Sequence, residues 1–195
     1  MDPINLLLGI NLFVSMAANF SGAKKGLKSS LTQTKNKPKT YLQKVPLNVS
    51  AFILVVIIFA IFGVGALSKE NLNEFFNVRV SGLIVFIIFS WTQIWSFKYL
   101  GKNYSQEIIV TKDHELITSG PYKFIRHPQY LSQLLSDLGA GVALGGFVAV
   151  PLVILLEIPL FVLRAKKEEE IMKQHFGDKF LEYKKQSGFM IPFLG

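Results

Sequence analysis

Residues 45–67 read VPLNVSAFILVVIIFAIFGVGAL and contain no charged side chain. A helix needs about 20 mostly apolar residues to cross the hydrocarbon layer of a membrane, and this stretch is long enough. An element of a soluble core would instead alternate apolar and polar residues along its length. The stretch therefore predicts a transmembrane helix and makes an integral membrane protein the expected class.

Other parts of the chain have the same apolar character. Residues 4–20 and 78–100 each predict one spanning helix, and the acidic Asp2 before the first is unlike the basic start of a signal peptide. Residues 130–163 would form a single helix of about 51 Å, too long for one hydrocarbon layer. Because glycines cluster near their middle, we predict a tight helical hairpin with arms 130–145 and 147–163. The expected fold is one all-α membrane domain with five spans and a cytosolic C-terminal helix.

The distribution of basic residues predicts the orientation. The chain of 195 residues has 21 Lys and Arg against 13 Asp and Glu. Seven basic residues lie in 21–44, five in 98–126 and seven from Arg164 onward, and only Lys69 and Arg79 lie elsewhere. Positive charge favours the cytosolic side, so we expect the N-terminus outside and the C-terminus in the cytosol. The expected location is the cell membrane of a prokaryote or the endoplasmic reticulum of a eukaryote.

The composition also disfavours several kinds of partner and site. Anionic lipid headgroups, not nucleic acid, are the expected neighbours of the lysine-rich loop 24–44. No cysteine is present, which excludes disulfides and thiolate chemistry. The chain has no glycine-rich dinucleotide or phosphate-binding fingerprint. His114, His127 and His175 lack the spacing of metal ligands, so no metal is expected.

The first cytosolic segment, residues 105–130, ends in the compact cluster RHPQY. Pro128 suits the first turn of the helix that enters the membrane. Backbone N–H groups at such a helix start, together with the guanidinium of Arg126, can bind a carboxylate or a phosphate. The same residues could equally anchor the helix at the lipid headgroups, and the local chemistry leaves both interpretations open.

The second cytosolic segment, residues 164–192, follows a stripe of charges. Glu157, Arg164 and Glu168 are spaced to share one helical face. Glu157 lies in the apolar run, where an ionisable residue is costly and often functional, and Arg164 is its expected partner. A structural ion pair at the helix end is the alternative, and Asp137 has the same two interpretations. A solvated face is expected for Glu169 and Glu170 with Lys166 and Lys167.

The two segments together resemble the isoprenylcysteine carboxyl methyltransferase family and its phospholipid methyltransferase relatives. The matching pieces are HELITSGPYKFIRHPQY at 114–130 and RAKKEEEIMKQHFGDKFLEYKKQSGFMIP at 164–192. The RHPxY element followed by an EE pair and an FG…Y stretch is specific as a set. The resemblance implies that S-adenosylmethionine binds between residues 105–130 and 164–192 at the membrane edge.

The resemblance also implies individual contacts. Glu168, the first acid of the EE pair, is the implied partner of the cofactor's amino-acid end. Arg164 is implied as the catalytic and substrate-binding residue that meets the substrate carboxylate. The other implied cofactor contacts are Glu107, His114, Glu115, Leu116, Ile117, Tyr122, His127, Pro128, Gln129 and Tyr130.

The implied reaction is methyl transfer to the carboxylate of a lipophilic substrate, with a prenylated cysteine as the expected example. A carboxylate is ionised at neutral pH, so the protein would act mainly by positioning, which can supply about 7–11 kcal/mol. Three alternatives remain open. They are a phospholipid or amine N-methyltransferase, for which Glu157 could serve as the base, an NADPH-dependent membrane lipid reductase, and a non-enzymatic lipid-binding membrane protein.

Overall fold

The computed structural model describes residues 2–29, 34–36, 38–111, 114–192 and 194. Two short strands, β1 (Thr34–Asn36) and β2 (Val110–Thr111), pair antiparallel. Apart from this small ladder, the regular elements are helical, so the predicted all-α class is confirmed. The helices are α1 (Pro3–Ser29), α2 (Val45–Ile61), α3 (Lys69–Glu74), α4 (Phe76–Leu100), α5 (Pro128–Ala143), α6 (Ala149–Leu152), α7 (Ile158–Phe176) and α8 (Asp178–Gln186).

Within the described residues, three helical segments are long and apolar enough to cross a membrane. They correspond to the predicted spans 4–20, 45–67 and 78–100, and they cover Pro3–Phe20, Tyr41–Ile61 and Phe76–Leu100. The second is shorter than predicted, because α2 ends at Ile61 and turns follow. Gly63 and Gly65 in those turns have positive φ angles of 87° and 72°. These angles lie in the left-handed region, which ends a right-handed helix.

The predicted hairpin is present, but with different limits. α5 ends at Ala143 and the second arm begins at Ala149, and Gly145 between them has a φ of 61°. The second arm runs through α6, a π-helical turn (Val153–Glu157) and α7, which continues beyond the predicted end at residue 163. α5 has 16 residues, so it is about 24 Å long against a hydrocarbon layer of about 30 Å. Five complete spans therefore stay a prediction.

Glycines allow α4 and α5 to pack with their backbones in contact. A Cβ on Gly82 would lie 2.7 Å from the Ala143 nitrogen and 2.8 Å from the Gly139 oxygen. A Cβ on Gly139 would lie 2.7 Å from the nitrogen of Phe86. Such close approach over small residues is common between membrane helices. Gly139 thus serves the packing of α4 against α5, whereas Gly145 lies in the turn of the hairpin.

The predicted pairing of Glu157 with Arg164 is wrong. Glu157 is fully buried in the π-helical turn and accepts a hydrogen bond from the Ser50 hydroxyl of α2. Seven residues of helix separate Glu157 from Arg164 by about 10.5 Å along the axis, and each side chain bonds to a nearer partner. Arg164 instead lies 3.4 Å from Glu168, the next acid along α7. Asp137 accepts a hydrogen bond at 2.6 Å from the Gln133 amide, one turn earlier in α5.

Candidate active site

The RHPQY cluster builds the start of α5 as predicted. Pro128 is the first residue of the helix and is fully buried. The backbone just before it pairs with the end of the chain. The Arg126 N–H donates to the Gly188 oxygen at 2.8 Å, and the His127 N–H donates to the Phe189 oxygen at 3.2 Å. These bonds hold the C-terminal segment beside the first turn of α5.

Tyr130, Arg164 and Glu168 join the start of α5 to α7. The Tyr130 hydroxyl donates to the Glu168 carboxylate and accepts from Arg164 Nε at 2.7 Å. The His127 ring stacks on Tyr130, with centroids 5.7 Å apart and planes at 3°. His127 Nδ1 lies 3.8 Å from Glu168. Hydrogen bonds to ionised groups are stronger than neutral ones, so this cluster fixes two helices relative to each other.

Glu169 does not belong to the predicted solvated face. It is 8% exposed, and its carboxylate accepts from Arg126 Nε at 2.6 Å and from Lys184 Nζ at 2.8 Å. Burial raises the pKa of Glu169, but hydrogen bonds from His127, Lys184 and Arg126 outweigh it and lower the pKa to about 2. Glu170, the next residue, is exposed as predicted. Successive helix residues point about 100° apart, so adjacent glutamates meet different surroundings.

A cavity lies beside this cluster, between the loop after α4, the start of α5, and helices α7 and α8. Most of the predicted cofactor contacts line it: Glu107, His114, Glu115, Leu116, Ile117, Tyr122, His127, Gln129, Tyr130 and Glu168. Pro128 and Arg164 are not among the lining residues, and both are buried. The structure therefore brings together side chains from both segments of the resemblance, as expected.

The rest of the cavity wall consists of Arg126 and Glu169, to which the sequence had assigned other roles, and ten residues that it did not indicate. These ten residues are Leu100, Asn103, Ser105, Ile108, Ile109, Val110, Ile171, Met172, Phe180 and Tyr183. Most are apolar residues in loops or helices, and nothing in their types marks them as a site. A signal was available only on α8, where the aromatic residues Phe180 and Tyr183 are three apart and share a helix face.

Two tyrosines in the wall remain protonated at neutral pH. The Tyr183 hydroxyl donates to the backbone oxygen of Tyr122 at 2.6 Å. Burial raises the pKa of Tyr183 to about 12, and burial likewise raises the pKa of Tyr122 well above its ordinary value. Both hydroxyls can therefore donate hydrogen bonds without bringing negative charge to the cavity.

Arg164 donates most of its hydrogen bonds to backbone oxygens. Nη1 donates to Leu42 at 2.9 Å and to Gln43 at 3.1 Å, and Nη2 donates to Gln106 at 2.6 Å. A guanidinium has five N–H groups, and the bond to Tyr130 brings the hydrogen bonds of Arg164 to four. A two-bond grip on a substrate carboxylate would displace at least one of these partners.

The cavity is suited to an organic cation. Glu107 and Glu168 supply carboxylates, and Leu116 and Ile117 supply apolar surface. Residues 114–118 form no helix or strand, so their backbone N–H and C=O groups are not committed to a regular ladder. In the described part of the chain, no three His, Cys, Asp or Glu side chains lie close enough to hold a metal ion.

Comparison with known proteins agrees with this site. Residues 82–174 match the model of the isoprenylcysteine carboxyl methyltransferase (ICMT) family. The protein-S-isoprenylcysteine O-methyltransferase of Schizosaccharomyces pombe is 36% identical over 83 residues, which are 43% of this chain and 35% of the relative. That of Tribolium castaneum is 29% identical over 126 residues, 64% of this chain and 45% of the relative. The chain thus spans less than half the length of these two relatives.

Two further matches extend over most of the chain. Protein-S-isoprenylcysteine O-methyltransferase A of Arabidopsis thaliana is 25% identical over 181 residues, 92% of this chain and 85% of the relative. A solved structure of the eukaryotic intramembrane Ras methyltransferase ICMT shares the fold, with a TM-score of 0.65 and 21% identity, over 100% of this chain and 69% of that chain. The start of α5 and the acid pair of α7 both lie inside the region that the family model matches. Residues 82–174 are therefore similar to the isoprenylcysteine carboxyl methyltransferase family.

Proposed function

We propose that the chain is an S-adenosylmethionine-dependent methyltransferase that acts at the cytosolic edge of the membrane. Its substrate would be a lipophilic carboxylate, an isoprenylcysteine or a molecule that resembles one. One observation carries the proposal: the RHPQY start of α5 and Glu168 of α7 meet at one cavity, within the residues that match the family model. The matching relatives are named as enzymes of this reaction.

The residues of the cavity fit this cofactor. Glu168 is held by Tyr130, yet its side chain is 24% exposed, so it can accept a hydrogen bond from the cofactor's ammonium group. Glu107 would add a second negative charge, and Leu116 and Ile117 would pack against the adenine ring. When bound, S-adenosylmethionine would supply a methyl group on a positively charged sulfur, to which a carboxylate oxygen can bond directly.

The chain's own part in the reaction would be positioning. A substrate carboxylate is ionised at neutral pH, so no residue needs to remove a proton. The stacked rings of His127 and Tyr130 would form a rigid wall, because Tyr130 is fixed by Arg164 and Glu168. Arg164 would attract the substrate carboxylate through its charge, since a two-bond grip requires a carbonyl to be released.

The lipid part of the substrate would remain in the bilayer. The cavity lies where α5 begins, and this helix continues into the apolar core formed with α1, α2 and α4. A substrate with its polar end at Tyr130 could therefore keep its apolar chain among lipids. This arrangement would favour carboxylates attached to long apolar groups over small soluble acids.

Binding and transfer experiments separate the proposed function from its alternatives. Calorimetric titration of the purified protein in detergent should show binding of S-adenosylhomocysteine and none of NADPH. Labelled S-adenosylmethionine should then transfer label to a farnesylated cysteine derivative in a base-labile form, as an ester requires. Base-stable label on an amine lipid would favour N-methylation, and binding of NADPH alone would favour the reductase. Binding of neither nucleotide would contradict the proposal.

A further inference from the structure

The cavity wall contains a loop without regular secondary structure. Residues 106–109 lie between α4 and β2 without forming a helix or strand. Glu107, Ile108 and Ile109 nevertheless line the cavity. Buried backbone N–H and C=O groups need hydrogen-bond partners, so something outside the loop must hold this part of the wall.

A glutamine from the turn before α2 supplies that partner. Gln43 is 9% exposed and makes two bonds to the backbone of Ile108. Its Oε1 accepts from the Ile108 N–H at 2.9 Å, and its Nε2 donates to the Ile108 oxygen at 3.0 Å. Nε2 also lies 3.3 Å from the oxygen of Pro38. A side-chain amide here satisfies both main-chain groups of one residue, as a neighbouring strand would.

Gln43 is itself fixed to the centre of the site. Its backbone oxygen accepts from Arg164 Nη1 at 3.1 Å, and Arg164 Nη2 binds the oxygen of Gln106 at 2.6 Å. Arg164 also donates to Tyr130 at 2.7 Å. A continuous set of hydrogen bonds therefore runs from Tyr130 through Arg164 and Gln43 to the loop.

Apolar packing supports the same connection. Leu42, next to Gln43, forms a small buried cluster with Ile108, Val110 and Ile171. The backbone of β1 pairs with that of β2 two residues after Ile108. The connection between α1 and α2 thus contacts the cavity wall through β1, Leu42 and Gln43. Of these three contacts, Gln43 makes the one through a polar side chain.

We infer that Gln43 is a positioning residue, which holds residues 106–108 in the cavity wall and thereby sets the affinity for the cofactor. The identity of that cofactor rests on the proposed function, whereas the support of the wall does not. Gln43 is not a lining residue, so it acts through the loop.

The substitution Gln43→Glu separates positioning from charge. It keeps the size of the side chain and the acceptor for the Ile108 N–H, but it removes the donor and places a carboxylate against two carbonyl oxygens. Loss of a buried hydrogen bond of this kind should weaken S-adenosylhomocysteine binding about tenfold. A nearby negative charge would by itself favour a cationic cofactor, so a raised KM for S-adenosylmethionine identifies positioning. The KM for the lipid substrate should stay unchanged.

Two variants accompany this experiment. Gln186→Glu makes the same chemical change on the exposed end of α8 and should leave both KM values unchanged. Gln43→Met has similar size and no hydrogen-bonding amide, and it should weaken cofactor binding as Gln43→Glu does. If Gln43→Glu fails to fold, Gln43→Met provides the comparison without a buried charge.

Hydrogen–deuterium exchange provides a readout that does not depend on the reaction. The amide of Ile108 should exchange faster in Gln43→Met, which lacks the acceptor for this N–H, while exchange in α4 and α5 stays as in the wild type. Unchanged exchange at Ile108, or faster exchange with unchanged cofactor affinity, would overturn the inference. If the wild type binds no cofactor, the proposed function fails, and the exchange at Ile108 alone decides whether Gln43 holds the loop.

Discussion

Three side chains, one at the start of α5 and two in the middle of α7, share one small volume, and each depends on the others. Glu168 and Arg164 both bind the Tyr130 hydroxyl, which is why a buried phenol, a guanidinium and a carboxylate can coexist there. Removing one partner of such a group leaves the others with unsatisfied polar atoms, which is costlier than the bond itself. Single substitutions here should therefore have large and specific effects.

Glu168→Gln should weaken binding of S-adenosylhomocysteine by about ten- to a hundredfold, because a hydrogen bond to a charged group contributes about 1.5–3 kcal/mol. Calorimetric titration measures the change. Glu170→Gln is the matched control, since Glu170 is exposed on the same helix and pairs with Lys167 at 2.5 Å. Equal affinities for the wild type and a folded Glu168→Gln would show that Glu168 does not bind the cofactor.

Arg164→Lys should reduce methyl transfer to carboxylates strongly, because an ammonium cannot replace four hydrogen bonds in the geometry of a planar fork. The KM values for the cofactor and for the lipid substrate distinguish two reasons for this loss of methyl transfer. If Arg164 grips the substrate, as the sequence predicts, only the lipid KM rises and cofactor binding survives. If Arg164 mainly positions Tyr130 and the loop at Gln106, cofactor affinity falls as well. Full activity in the variant would exclude both roles.

At the scale of whole elements, α8 and the end of the chain complete the site. Arg126 binds Glu169 of α7 and the backbone oxygens of Lys184 and Ser187, so one guanidinium connects the start of α5 to two other segments. Lys184 Nζ of α8 also donates a hydrogen bond to the Glu169 carboxylate, at 2.8 Å. Because Phe180 and Tyr183 of α8 line the cavity, release of this helix would open the cavity.

The ionisation of Glu169 should make the attachment of α8 sensitive to acid. Its pKa is lowered from 4.5 to about 2, so the folded state binds fewer protons than the unfolded state in this range. The stabilisation is therefore present above pH 4.5 and is lost as the pH falls towards about 2. We expect wild type and Glu169→Gln to differ in melting temperature at pH 6, and this difference to shrink as the pH falls from 4.5 towards about 2.

Glu182→Gln, on an exposed position of α8, provides the comparison for this pH series. Its difference from the wild type should be small and should not change between pH 6 and pH 3. A difference between wild type and Glu169→Gln that is as large at pH 3 as at pH 6 would mean that the charge of Glu169 does not hold α8.

The contact between α4 and α5 predicts a second effect at this scale. Gly139→Ala should destabilise the bundle by about 1–3 kcal/mol, because the added carbon would force two backbones apart. Gly9→Ala on α1 is the control, since its nearest contacts would be Ile61 side-chain atoms at 3.9 Å and alanine favours a helix. Thermal unfolding in detergent measures both. Equal melting temperatures for the two variants would contradict the close packing of α4 and α5.

For the molecule as a whole, the cavity and the basic loops are expected on the same side of the membrane. α4 ends, and α5 begins, at the cavity, and the segments rich in Lys and Arg flank the same helix ends. Positive charge in short loops favours the cytosol. A cofactor made in the cytosol would then reach the site without crossing the bilayer.

A reporter fused after Gly195 should face the cytosol, and one placed before Asp2 should face outside. The reason is the concentration of basic residues in segments 21–44, 98–126 and the C-terminal tail. Protease protection in sealed vesicles measures both positions. A C-terminal reporter on the outside would reverse the orientation and move the proposed site away from cytosolic S-adenosylmethionine.

The sequence by itself determined the class of the protein and the two segments that meet at the candidate site. In a bilayer, a long uncharged segment can satisfy its backbone hydrogen bonds by itself only as a helix. The three apolar spans could therefore be predicted from the sequence. The RHPQY and EE elements are contiguous, so their residue types and spacing marked the two halves of the site.

Only the tertiary structure decided which side chains face one another. Glu157 bonds to Ser50 of α2 and not to Arg164, and the spacing of charges along one helix does not indicate a partner on another helix. Gln43 meets Ile108 across 65 residues of chain, and Gly139 meets Gly82 across two helices. These contacts depend on how distant segments pack, which the spacing of residues along one helix or loop does not specify.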